Sequence, residues 1–215
     1  MQEQRIHLVR HGEVENPEGI LYGRIPGYGL SERGHRMAKM AADDLAQREL
    51  PVGRIVVSPL QRTQESAAPI LEAFGMDAVI EPRVIEPWNV FEGKKLGGRD
   101  GAWRRPKEWP KMARPWVPSW GEPFTEIVAR MREALMAHAK AANGADVIVV
   151  THQLPIWMVH RSVNNRPLPH NPASRRCSLS SITVLEYHPA TGFVEADYRE
   201  PAASELRAAE DKGAV

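Results

Sequence analysis

The 215-residue chain has one cysteine, Cys177, so no disulfide can close within it. It has no run of about 20 apolar residues, so no membrane-spanning helix is expected. The start, Met1-Gln2-Glu3-Gln4-Arg5, leads into only a short apolar stretch, and a secretory leader is not expected either. Together these absences point to a cytoplasmic protein without membrane contact. The net charge is +1, so no whole-molecule field draws the chain to nucleic acid, which is not an expected partner. Aromatic residues make up only 7%, yet five of the six tryptophans (Trp88, Trp103, Trp109, Trp116 and Trp120) crowd into one segment. In the same region, eight lysines and arginines stand against only Asp100 and Glu108 between positions 94 and 114.

What is present reads as strands alternating with helices, which argues for an α/β fold around a mostly parallel sheet. Ile6 to Val9, Arg54 to Ser58 and Asp146 to Val150 are short, continuously apolar runs, the pattern of strands buried on both faces. A weaker strand is expected over Ala78 to Pro82. Two alternating stretches flanking Pro189-Ala190-Thr191-Gly192 predict a hairpin. Helices are expected after Ser31, from about Leu60 to Phe74, over Glu126 to Asn143 and from Leu154 to Val163. Ser31 is a natural cap for the first of these, and Gly75 a natural stop for the second. Pro69 predicts a kink or a late start in the second helix. Gly12, Gly19, Gly23, Gly27 and Gly29, with Pro17 and Pro26, mark a long loop. Residues 1–199 are expected to form one domain, and the Ala- and charge-rich residues 200–215 a flexible tail.

Ligands of doubly wound sheets lie at the carboxyl ends of the strands. There the first strand offers Arg10, His11 and Gly12, and the second offers Ser58 and Arg62. The central apolar strand ends in Thr151, His152 and Gln153, and the weak one leads to Glu86. Two guanidiniums and two imidazoles form a cradle for an anion, because the arginine fork matches phosphate oxygens in pairs. Histidine can serve as a covalent nucleophile, and a lone carboxyl group suits a general acid. No cluster with metal-ligand spacing is evident, so no metal and no other cofactor is implied.

Leu8-Val9-Arg10-His11-Gly12, Leu30-Ser31-Glu32-Arg33-Gly34, the run Ser58 to Ala67, Phe91-Glu92-Gly93, Gly121-Glu122-Pro123-Phe124 and Val150 to Ile156 occur in that order. The ordered set resembles the histidine phosphatase superfamily, which contains cofactor-dependent phosphoglycerate mutases and many phosphatases. The resemblance covers roughly residues 5–190. It implies a three-layer, phosphoglycerate mutase-like α/β fold with helices on both faces of the sheet. It also implies a cap at about residues 88–120, which takes in the basic, Trp-rich segment. It implies a metal-independent phosphatase that forms a phosphohistidine on His11. Arg10 and Arg62 then clamp the phosphoryl oxygens, His152 bonds them as well, and Asn16 and Gln153 add phosphate contacts. Glu86 is the expected proton donor, with Glu92 the alternative, and Ser58 or Gly12 holds the nucleophile. Gln153 is a departure, since members commonly have glycine after the second histidine. The expected substrate is a small phosphorylated molecule, with extra negative charge and an apolar part to suit the basic, Trp-rich segment, to which Arg175 and Arg176 add if they return to the rim. A phosphoglycerate mutase-type transfer and a non-catalytic phosphate-binding module are the alternatives.

Overall fold

The apolar runs pair side by side into one six-stranded sheet. Four are β1 (Gln4–Arg10), β2 (Val52–Val57), β3 (Ala78–Ile80) and β4 (Asp146–Thr151); β5 (Ile182–His188) and β6 (Gly192–Arg199) complete it. The order is β3-β2-β4-β1-β5-β6; β1 to β4 are mutually parallel, and the β5–β6 hairpin adds to β1 in the antiparallel sense. This computed structural model describes residues 4–95, 120–209 and 211. Most of the expected cap therefore lies outside the described residues. At its edges, Asn89 bridges to Gly121, and Trp88 is exposed.

The helices are α1 (Glu32–Ala46), α2 (Gln61–Phe74), α3 (Phe124–Ala141), α4 (Gln153–Val163) and the short α5 (Ala203–Leu206). Strand alternation divides the core into two layers. On one face Ile6, Leu8, Val147 and Val149 pack against Ile127, Met131 and Leu135 of α3 and against Ile156 and Val159 of α4. On the other, Val9, Ile55, Val57, Ile148 and Val150 pack against Ala41 and Leu45 of α1 and Ala67 and Ile70 of α2. Each such branched side chain contributes about 1.5–3 kcal/mol by leaving water. The sheet is thus braced on both sides, and its carboxyl edge is a rigid platform.

Helix ends follow their local chemistry. Ser31 Oγ accepts from Gly34 N–H at 3.0 Å, the expected N-cap. Gly75 closes α2 at φ 62°, a left-handed conformation that glycine adopts without a Cβ penalty. The late start expected at Pro69 is absent, because α2 begins at Gln61 and runs through Pro69 to Phe74. Leu206 of α5 and Ala209 beyond it pack against the Met37 cluster, and Glu205 pairs with Arg36 at 3.2 Å.

Candidate active site

Register brings the chemistry together. Arg10 pairs with Thr151 across β1 and β4, and Val57 pairs with Val150 across β2 and β4. The residues that follow, His11, His152 and Ser58, therefore emerge side by side at the same edge. The imidazoles of His11 and His152 lie 5.3 Å apart, centroid to centroid, edge to face. Arg62 enters from the first turn of α2, and Glu86 from just beyond a 3₁₀ turn at Pro82–Val84. Arg10, His11, Arg62, Glu86 and His152 are all at most 2% exposed.

Each side chain is oriented by a neighbour. The Nδ1 of His11 lies 2.8 Å from the carbonyl oxygen of Gly12. A carbonyl only accepts, so Nδ1 carries the proton and Nε2 keeps its lone pair in the neutral ring. Of the two candidates for holding His11, Gly12 does so. Ser58 instead bonds His152, Oγ to Nε2 at 2.7 Å. Glu86 Oε2 approaches Nδ1 of the same ring at 3.5 Å. Arg62 donates Nη2–H to the Gly23 carbonyl at 2.9 Å and stacks its guanidinium 4.8 Å above the Tyr22 ring. Arg10 donates to the Cys177 carbonyl at 2.7 Å and, through both terminal nitrogens, to the Asp211 carboxylate at 2.9 and 2.5 Å.

Gly12 also has a packing reason. A Cβ there would meet the carbonyl oxygen of Gly34 at 2.4 Å, so the contact with α1 demands glycine. The backbone of α1, not the substrate, sets that requirement.

Buried polar atoms normally find partners. Here Arg10 Nε, Arg62 Nε, His152 Nδ1 and Glu86 Oε1 are buried without a hydrogen-bond partner among the described residues. All four belong to the same cluster. Its electrostatics are distinctive too. Burial, reinforced by the Arg62 and Arg10 charges, holds His11 well below the usual imidazole range. Burial, then Arg62 and His11, does the same to His152. Burial pushes the Glu86 carboxyl up to about 7 despite opposition from Arg62, Arg175 and Arg10. Both rings are neutral at pH 7, and the carboxyl group is poised to give and take a proton.

Two further sequence candidates have partners in the neighbouring loops. Asn16 spends its amide on Ile20, donating to its carbonyl at 2.9 Å and accepting from its N–H at 3.2 Å, which braces the loop. Glu92 Oε1 accepts from the Asn89 N–H at 3.2 Å and likewise holds a loop. Gln153 lies at the cluster's margin, its amide donating to the Cys177 carbonyl at 3.3 Å. Sequence reasoning missed Tyr22, Arg24 and Asp211. Tyr22 and Arg24 sit in a loop without periodicity. Arg24 donates to the Glu86 carbonyl at 2.5 Å and borders an open cleft of about 400 Å³ that Arg62 also lines. Arg175 does return to the rim, whereas Arg176 is exposed and pairs with Glu195. Among the described residues, no three His, Cys, Asp or Glu side chains cluster as metal ligands.

Comparison with known proteins agrees with this geometry. Residues 6–197 match the histidine phosphatase superfamily (branch 1). Uncharacterized protein Rv0525 of Mycobacterium tuberculosis is 44% identical, the match covering 94% of this chain and 98% of that protein. Phosphoserine phosphatase 1 of Hydrogenobacter thermophilus is 30% identical over 71% of this chain and 72% of its own. Among solved structures, Bacillus stearothermophilus YhfR superposes with a TM-score of 0.75 at 23% identity, over 90% of this chain and 95% of that one. With the two histidines, two arginines and a buried carboxyl group gathered at one sheet edge, the chain belongs to the histidine phosphatase superfamily.

Proposed function

We propose that the protein is a phosphatase that hydrolyses a small phosphomonoester through a phosphohistidine on His11, with Glu86 as general acid and base. The observation that carries this reading is the state of His11. It is buried, neutral and held by Gly12 with Nε2 unprotonated, and two guanidiniums and a second imidazole stand beside it. Nε2 attacks phosphorus, and the bond from phosphorus to the ester oxygen breaks. The departing oxygen takes the Glu86 proton. Water then attacks the phosphohistidine and gives a proton to the Glu86 carboxylate, and the N–P bond breaks to release phosphate.

Arg10, Arg62 and His152 meet the phosphoryl oxygens in this scheme. The unpartnered nitrogens Arg10 Nε, Arg62 Nε and His152 Nδ1 supply donors of the right kind. Asp211 shares Arg10 with the incoming phosphoryl group or gives way to it. Gln153 and Asn16 act beside them, Asn16 also bonding Ile20 within its loop. Glu86, with an ordinary value displaced to about 7, exchanges a proton without large cost at neutral pH. The relative named for phosphoserine hydrolysis supports a small substrate of this class.

The test is hydrolysis of p-nitrophenyl phosphate and a panel of phosphorylated metabolites in EDTA. Turnover by the natural chain and none by His11→Ala is expected. Binding without turnover across the panel would instead indicate a phosphate-binding module.

A further inference from the structure

The carboxyl group of Glu86 is held from behind rather than at its tip. Oε1 is buried without a hydrogen-bond partner among the described residues, and Oε2 lies 3.5 Å from His152 Nδ1. Its direction is therefore set by the main chain that carries it. That main chain is fastened at three carbonyls by side chains from three other segments. Arg130 of α3 donates Nη1–H to the Arg83 carbonyl at 2.5 Å, and Thr151 of β4 donates Oγ1–H to the Val84 carbonyl at 2.5 Å. Arg24 donates Nε–H to the carbonyl of Glu86 itself at 2.5 Å. Just beyond, the Glu122 N–H donates to the Trp88 carbonyl at 3.2 Å, and the Val90 N–H donates to the Trp120 carbonyl at 2.8 Å.

Arg24 is in turn gripped on both sides. Its Nη2–H donates to Glu122 Oε2 at 3.2 Å. The same carboxylate accepts from Arg130 Nε and Nη2 at 2.6 and 3.1 Å. Glu122 is buried, so one carboxylate links the two arginines that hold carbonyls 83 and 86. On the other side, the Ile25 N–H donates to the Tyr22 carbonyl at 2.7 Å and closes a tight turn around Gly23 and Arg24. The Gly23 carbonyl accepts from Arg62 Nη2 at 2.9 Å. Two neighbouring residues of one turn thus tie down Arg62, which meets the phosphoryl oxygens in the scheme above, and Glu86, which protonates the ester oxygen.

We propose that Arg24, gripped by Glu122, is a positioning residue for Glu86: it fixes that residue's main chain so that the carboxyl group meets the leaving oxygen. Arg24 therefore governs proton transfer to the leaving group more than attack on phosphorus. The proposal rests on the reading of Glu86 as the general acid and adds the residues that aim it.

The test compares ethyl phosphate, whose alkoxide must be protonated as it departs, with p-nitrophenyl phosphate, whose stabilised phenolate leaves without that help. The quantity read is kcat/KM, which covers passage to the phosphohistidine and leaves out the later attack of water. Arg24→Ala should lose about 10- to 100-fold more kcat/KM on ethyl phosphate than on p-nitrophenyl phosphate, the scale of a displaced catalytic group. Glu122→Gln should show the same selective loss in smaller measure. Glu86→Gln should show it in full, and adding Arg24→Ala to Glu86→Gln should change the ratio of the two esters no further. An equal loss on both esters in Arg24→Ala, or a ratio that falls further in the double variant, overturns the proposal, because a merely structural support acts in that way. Should Arg24→Ala fail to fold, Arg24→Lys, which lacks the fork that spans both acceptors, decides by the same criteria. A ratio left unchanged by Glu86→Gln removes Glu86 as the acid, and the proposal falls with that reading. A ratio shifted by Glu86→Gln and untouched by Arg24→Ala removes the positioning role alone.

Discussion

Four histidines are buried in this protein, and they divide into two pairs. His7 on β1 meets Asp146 Oδ2 at 3.0 Å, while Asp146 Oδ1 accepts the Arg5 N–H at 2.8 Å. His138 on α3 meets Glu81 Oε2 at 2.9 Å, and Glu81 is also held by Arg83. Each of these rings has a close carboxylate and acts as a strut between elements. His11 and His152 stand beside Arg62 instead, with Glu86 Oε2 3.5 Å from the His152 ring. Burial and the Arg62 charge keep both far below the ordinary imidazole value. Carboxylates thus hold one buried pair, and guanidiniums stand beside the other.

The sharpest way to break that contrast is to remove one ring of each kind. His11→Ala should lose about 10⁴-fold or more in kcat, as covalent nucleophiles do. His7→Ala leaves the Asp146 carboxylate without its ring partner, at a cost of about 1–3 kcal/mol, or roughly 2–10 °C in melting temperature. Its kcat should stay within about threefold, a band set against the scatter of ordinary distant substitutions. Comparable activity losses in the two variants would dissolve the distinction.

Glu86→Gln should cost about 10²- to 10⁴-fold on an alkyl phosphate, the usual range for a lost general acid. The sign of the pH dependence follows from its raised value. The acid is protonated below about 7, so kcat/KM should fall as pH rises through that region. In Glu86→Gln that descending limb should vanish, which a pH profile on an alkyl substrate checks. Arg62→Gln should lose about 10²- to 10³-fold in kcat, the scale of one preorganised donor to a charged transition state. The smallest effect concerns the tail. Asp211→Asn removes a carboxylate from Arg10, and inhibition by phosphate should strengthen by up to about fivefold, since its carboxylate is 41% exposed. Weaker inhibition would make Asp211 a support for Arg10 rather than a competitor.

Much of this arrangement was legible in the sequence because it is written in local patterns. Fully apolar strands ending in Arg10-His11 and Thr151-His152 specify a parallel sheet with imidazoles at one edge. Ser31 and Gly75 mark helix ends through chemistry confined to a single turn. Other features depend on pairings between distant segments. Gly12 is explained by Gly34, 22 positions away. Asp211 reaches Arg10 across 201 positions, and no periodicity announces such a contact. Tyr22 lies under Arg62 because a loop folds back, and loops carry no repeat to read. Asn16 is singled out by its place after Arg10-His11-Gly12, and its amide also bonds Ile20 within its own loop, a contact that position alone does not announce.

The central claim is that the phosphoryl group passes through the ring at position 11. Quenching the natural chain in alkali during the first turnover of a ³²P-labelled substrate, followed by peptide mapping, tests it directly. The account predicts one base-stable, acid-labile label on the peptide containing His11, decaying as fast as phosphate appears. Steady turnover with no labelled enzyme, or a label on a different residue, would contradict it.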